Sequence, residues 1–344
     1  MRRPLVIGGQ EIGLGVTQLE LPLAQLYTHS DLQMPVHVHR GRTDGPVLFI
    51  SAALHGDELV GVEILRRVLR HKALKRIRGT LIAVPVVNVH GFVSRSRYLP
   101  DRRDLNRSFP GSESGSLAAR IAHTFAEEVV RKADFGIDLH TGAVHRSNFP
   151  QLRADLEQPG VKELAEAFGA PLILDSKPGA GTLRQVTRAA KIPVVVYEGG
   201  EALRFDETSI RVGVSGVLNV MRYLGMLPAS KRKAQRAAVI AHGSGWVRAE
   251  NSGILRTTVA LGEKVDQGQV LGYIADTAGA NEVILRAPGA GVVIGKLNLP
   301  LVYEGEAVYH VARTRRAEAV VEQWEMIRGE ENPLEPALDE PPIL

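Results

Sequence analysis

The 344-residue chain predicts an α/β fold followed by a smaller all-β part. Three observations carry that prediction. Apolar runs of strand length alternate with segments whose apolar residues recur at helical spacing, the pattern of a sheet covered by helices. Four of these strands deliver polar groups at or just past their carboxyl ends, where open α/β sheets bind ligands. From Trp246 to about Val311 the texture changes to short β-like pieces split by Gly253, Gly262, Gly268, Gly272, Gly289, Gly291, Gly295 and Gly305, which predicts a small barrel or sandwich.

Residues 1–45 carry short alternating stretches. His37 and His39 would share one face of a strand there and read as strand-surface residues. Residues 46–53 form the first buried run. Beyond it Leu59, Val62, Ile64, Leu65, Val68 and Leu69 fall at helical spacing, with Arg66, Arg67 and Arg70 in the polar gaps. His55 and Glu58 therefore sit on a strand-to-helix turn. Such a pair can converge on one ion, because zinc accepts histidine nitrogen and glutamate oxygen; an isolated H-x-x-E also occurs in surface and capping roles. Residues 79–88 read as a second buried strand, with Pro85 pointing to an edge or a strand end.

A polar connection follows over residues 89–111, long enough that it is either functional or disordered. Its Arg97, Arg102, Arg103, Asn106 and Arg107 are groups that grip carboxylates, the alternative being a solvated basic loop. Ser116 is a candidate cap for a helix carrying Leu117, Ile121, Phe125 and Val129 on one face. Residues 133–142 form the third strand, in which Asp138 points to the same side as His140 and can orient it. A helix around residues 161–168, a strand at 171–174 and a Gly/Pro connection at 177–182 lead to the fourth strand, at 191–201, with Glu198 at its polar end. A helix at 210–227 closes this part. Residues 231–236 read as a linker, 315–328 as an amphipathic helix, and 330–344 as an acidic, proline-rich tail.

Composition excludes several chemistries. With no cysteine there is no disulfide framework or thiolate ligand, so a metal would rest on histidine and carboxylate. No run approaches the roughly 20 apolar residues of a membrane span, and the N-terminal apolar segment stops too early for a secretion signal. A cytoplasmic location without membrane attachment is expected. The net charge of +4 is mild and its basic residues are scattered, which gives nucleic-acid binding little support. A homo-oligomer is compatible with the sequence.

His55, Glu58 and His140 make a set of three protein ligands with an open fourth position, the mark of catalytic zinc. Glu198, outside that set, could take a proton from water whose pKa the ion has lowered. The reaction class is metal-assisted hydrolysis of an acyl bond.

His55-Gly-Asp-Glu58, Asp104-Leu-Asn-Arg107, Asp138-Leu-His140 and Glu198-Gly resemble the motifs of the succinylglutamate desuccinylase/aspartoacylase family, a branch of the zinc carboxypeptidase superfamily, over roughly residues 35–225. The resemblance implies a three-layer α/β/α zinc-carboxypeptidase-like domain with a mixed sheet. It implies one Zn2+ per chain on His55, Glu58 and His140, Glu198 as general base and then acid, and Asn106 and Arg107 as clamps for a substrate carboxylate. Arg97, before Tyr98, matches the family's oxyanion-stabilising arginine, although residues 100–103 lengthen the gap to Asp104 and leave Arg102 and Arg103 in competition for the role. The implied substrate is a small N-acylated amino acid; a carboxypeptidase acting on short peptides is the alternative.

Residues 251–271 and 287–308 resemble the repeated units of a biotinyl/lipoyl-like hammerhead. The turn that bears the modified lysine in such carriers is here residues 276–280, without lysine, so a fold lacking the prosthetic group is expected. The resulting division is 1–230 catalytic, 237–312 β-barrel, and 313–344 helix and tail. Family members with such an appended domain include N-acetyl-diaminobutyrate deacetylases.

Overall fold

The computed structural model describes residues 4–229 and 237–329, so the expected linker at 231–236 and the acidic tail at 330–344 lie outside the described residues. The chain runs through β1 (Val6–Ile7), β2 (Gln10–Glu11), β3 (Gly15–Gln25), β4 (Asp31–Arg40), β5 (Thr43–Ala52), α1 (Val60–Arg70), β6 (Arg78–Val84), α2 (Val89–Ser94), α3 (Leu117–Glu128), β7 (Phe135–Gly142), β8 (Arg146–Ala154), α4 (Val161–Phe168), β9 (Leu172–Asp175), α5 (Leu183–Ala189), β10 (Val194–Glu201) and α6 (Glu207–Tyr223). It continues with β11 (Val239–Ala241), β12 (Ser244–Arg248), β13 (Gly253–Thr257), β14 (Lys264–Val265), β15 (Val270–Ala275), β16 (Val283–Arg286), β17 (Gly291–Leu297), β18 (Leu301–Val302), β19 (Ala307–Ala312) and α7 (Ala317–Gly329).

Four parallel strands, in the order β10-β7-β5-β6, form the middle of a mixed sheet. Antiparallel β4 and β3 extend it beyond β6, and antiparallel β8 lies beyond β10. Alternation along the strands explains why helices cover both faces. Leu48, Ile50 and Ala52 of β5 share a core with Ile64 of α1, Leu164 of α4 and Val217 of α6. Phe49, between them in sequence, points the other way and packs with Ile121 and Phe125 of α3 and Leu183 of α5.

Of the two positions expected for Pro85 the structure has the strand end: it directly follows β6, which lies between β5 and β4, and its missing N–H costs no ladder bond there. Two features depart from the sequence expectation. The connection at 89–111 holds α2 and a 3-10 turn at Leu105–Arg107. β8 and α5 have no counterpart in the sequence reading; Pro150 and the buried polar residues Asn148 and Gln151 hide the strand pattern of β8.

β8 joins the two parts of the chain. Besides β10 it pairs with parallel β9, and its first residues pair with β17 in the register Gly295↔Asn148 and Leu297↔Arg146. Through β17, β19 and β12 the C-terminal strands therefore continue the same sheet. A second sheet, β16-β15-β13-β18, packs on them around Val247, Leu255, Leu271, Val293, Val308 and Tyr309. Asp276 closes the β15–β16 turn by accepting from the Ala278 and Ala280 amides. Among the described residues no helix is long and apolar enough to cross a membrane.

Candidate active site

The turn after β5 is held from below by α2. Ala53 adopts φ +46°, a left-handed conformation unusual for a residue with a side chain. The Val87 and Asn88 amides fix this turn by donating to the Ala52 and Ala53 carbonyls at 3.1 and 2.9 Å. At Gly56 a Cβ would fall 1.9 Å from the Gly91 carbonyl carbon, so α2 can approach only a glycine there.

This geometry presents His55 and Glu58 side by side, with His55 Nδ1 2.7 Å from Glu58 Oε1. β7, adjacent to β5, brings His140 to the other carboxylate oxygen, Nδ1 lying 2.7 Å from Glu58 Oε2, and the two imidazole centroids are 5.0 Å apart. The far nitrogen of each ring meets another carboxylate: His55 Nε2 is 3.1 Å from Asp104 Oδ1, and His140 Nε2 is 2.7 Å from Asp138 Oδ2. Asp138 is itself fixed by a 2.8 Å hydrogen bond from Ser51.

Carboxylates that hold one nitrogen of each ring and leave the other convergent are the arrangement of metal-binding histidines. One ligand atom from each of His55, Glu58 and His140 lies within 4.8 Å of the others, and all three side chains are buried. The nitrogen and oxygen donor set fits zinc. Electrostatics agree. Burial alone would raise the Glu58 carboxyl, but His55 and His140 outweigh it and hold it far below the carboxylate range. Burial would depress His55, yet Glu58 and Asp104 raise it; for His140, Asp138 and Glu58 overcome burial and raise it further. The pocket is thus built for positive charge between the two rings.

Arg97 donates to Asp104 Oδ2 at 3.0 Å and to Glu58 Oε1 at 3.3 Å, and its carbonyl accepts from the buried Asn88 side chain. Arg102 and Arg103 are exposed and do not line the cleft. Asn106 Oδ1 accepts from the Leu183 amide at 3.0 Å, which ties the Leu105–Arg107 turn to the start of α5, while Arg107 donates to the Asn106 carbonyl at 2.7 Å.

Glu198 stands beside His140 in the β10–β7 register. Its Oε2 accepts from Asn148 at 2.7 Å, and Arg153 Nε lies 3.1 Å from its Oε1. A cavity of about 480 Å³ is lined by His55, Glu58, Arg97, Asn106, Arg107, His140 and Glu198 together, so all seven sequence candidates meet in one place. Arg146, Asn148, Arg153, Arg184 and Trp246 also line it and went unread in the sequence. The first three belong to β8, which sequence periodicity did not reveal.

Comparison with known proteins places the chain in a family. The model of the succinylglutamate desuccinylase/aspartoacylase catalytic domain matches residues 44–224. The N-alpha-acetyl-L-2,4-diaminobutyric acid deacetylase of Halomonas elongata is 29% identical over 297 residues, covering 82% of this chain and 86% of that one. The product-bound ectoine utilization protein EutE (DoeB) of Ruegeria pomeroyi superposes with a TM-score of 0.79 at 26% identity, covering 88% of this chain and 97% of that one. A succinylglutamate desuccinylase/aspartoacylase from Rhodobacter sphaeroides gives 0.78 at 26% identity, covering 88% and 96%. The match spans more than half of the chain and includes His55, Glu58, His140 and Glu198, and the protein belongs to the succinylglutamate desuccinylase/aspartoacylase family.

Proposed function

We propose that the protein is a zinc-dependent deacylase that hydrolyses the amide bond of a small N-acylated amino acid. The observation that carries this is the convergence of His55, Glu58 and His140 next to Glu198 in one cavity. His55, Glu58 and His140 would hold the ion; when bound, zinc supplies a Lewis acid for the substrate carbonyl and lowers the pKa of water.

The chain's own groups do the rest. Glu198, oriented by Asn148 and Arg153, takes the proton of the attacking water and returns it to the leaving nitrogen. Arg97, whose guanidinium already lies against Glu58, faces the negative charge that develops on the carbonyl oxygen. Asn106 and Arg107 clamp the substrate carboxylate. Asp104 and Asp138 keep the imidazoles in position.

The related deacetylase from Halomonas elongata supports an N-acyl amino acid as the substrate class. We further read residues 1–230 as the catalytic domain of three-layer zinc-carboxypeptidase type. Residues 237–312 are read as a hammerhead-like domain that walls the site and carries no prosthetic group, and the location as cytoplasmic. A panel of N-acetyl, N-succinyl and N-formyl amino acids, assayed for released amine with and without chelator, tests the proposal. Hydrolysis abolished by chelator and restored by zinc is the expected result. Chelator-resistant turnover, or no turnover of any member by zinc-loaded enzyme, contradicts it.

A further inference from the structure

We infer that Arg146 is a specificity-determining residue: its guanidinium reads negative charge on the part of the substrate that the Asn106–Arg107 wall does not hold. The inference rests on the deacylase reading above. Five arginines line the cleft, and four are closely engaged. Arg97 binds Glu58 and Asp104, Arg107 binds a carbonyl at 2.7 Å, Arg153 pairs with Glu198 at 3.1 Å, and Arg184 donates to the Ser176 carbonyl at 2.8 Å. Arg146 differs. Its ion pair with Glu306 is long, at 3.6 Å and beyond hydrogen-bonding distance, and among the described residues its guanidinium makes no hydrogen bond. A guanidinium offers five donors in a planar fork that matches a carboxylate, so this one, although ion-paired, keeps its donors for a ligand.

The fork is nevertheless held in place, by the C-terminal strands. Its central carbon lies 5.6 Å from the centroid of the Trp246 ring, within cation–π range. Trp246 in turn stacks on His310, with centroids 4.3 Å apart and planes 10° from parallel, and His310 Nε2 meets Ser244 Oγ at 2.7 Å. Trp246 and His310 face each other across the β12–β19 register. His310 is thus a positioning residue, acting on Arg146 through Trp246. Along β8, Arg146 is two residues from Asn148, the partner of Glu198, and therefore on the same strand face about 7 Å away. A substrate with its scissile bond beside Glu198 would bring its far end to this guanidinium.

The test compares kcat/KM for the N-acetyl, N-butanoyl and N-succinyl derivatives of one amino acid; the last two match in chain length and differ in charge. The wild-type enzyme should favour succinyl over butanoyl by about tenfold or more, as expected for a hydrogen bond to a charged group. Arg146→Gln should remove most of that preference through the KM for the succinyl substrate, Arg146→Lys should keep part of it, and Arg146→Glu should reverse it. Trp246→Leu should lower the same ratio. A merely structural role would depress all three substrates alike and leave the ratio unchanged. An unaltered ratio in both Arg146→Gln and Arg146→Glu, or no wild-type preference, overturns the inference and leaves the deacylase reading intact. Absence of turnover for all three with zinc-loaded wild type overturns that reading and the inference with it.

Discussion

The floor of the cleft and its outer wall are built on opposite principles. On the floor, buried charges neutralise one another at short range: Asp104, His55, Glu58, His140 and Asp138 form a continuous chain of contacts between 2.7 and 3.1 Å. On the wall, Trp246 stacks flat on His310 and lies within cation–π range of Arg146, whose guanidinium lines the cleft. Charges buried without partners are costly, so a floor of this kind tolerates few changes. A stack tolerates more, and is the natural place for specificity to vary.

Breaking the floor gives the largest effect. Glu58→Ala leaves two histidines and Arg97 without their shared carboxylate, so zinc binding should be lost and kcat/KM should fall by roughly 10³-fold or more, a deacylase assay with parallel metal analysis reading both. On the proposed mechanism Glu198→Gln removes proton transfer and keeps His55, Glu58 and His140. It should lower kcat by about 10²–10⁴-fold while zinc stays bound. Asp138→Asn and Asp104→Asn act one contact further out, and each should weaken zinc affinity by about 10–100-fold in a competition titration with a chelating dye.

The wall should respond more gently, and to pH. Burial, followed by the charge of Arg153, pushes His310 down to about 4, below the ordinary value of 6.5. The unfolded chain then binds the proton first, so the contribution of neutral His310 is complete above pH 6.5 and is lost as pH falls toward 4. The loss amounts to at most roughly 3 kcal/mol, since one pKa unit corresponds to about 1.4 kcal/mol. Thermal unfolding of wild type and His310→Phe at pH 7 and pH 4.5 checks this: the wild-type midpoint should fall further. Equal falls would show that His310 is not the titrating group.

The same contrast explains what was legible in the sequence. His55 with Glu58 and Asp138 with His140 lie three and two residues apart because a strand end or a strand-to-helix turn brings such neighbours onto one side, so the floor shows as short motifs. The parallel strands were visible as apolar runs because both their faces are buried. The wall was not visible: Arg146, Trp246 and His310 are far apart along the chain and meet only through the β8–β17–β19–β12 register. β8 itself escaped because its cleft-facing and buried polar residues break the alternation by which a strand is recognised. Arg97 could be separated from Arg102 and Arg103 only by the fold, since all three share one connection and only Arg97 lines the cleft, where its guanidinium meets Glu58 and Asp104.

On the proposed function, His55, Glu58 and His140, from two neighbouring strands, hold one catalytic ion. Elemental analysis of the purified protein tests it most directly. One zinc per chain in the wild type, with almost none in folded His140→Ala, is the predicted result; a wild type that takes up no zinc, or a His140→Ala protein that binds as much as wild type, would contradict the account.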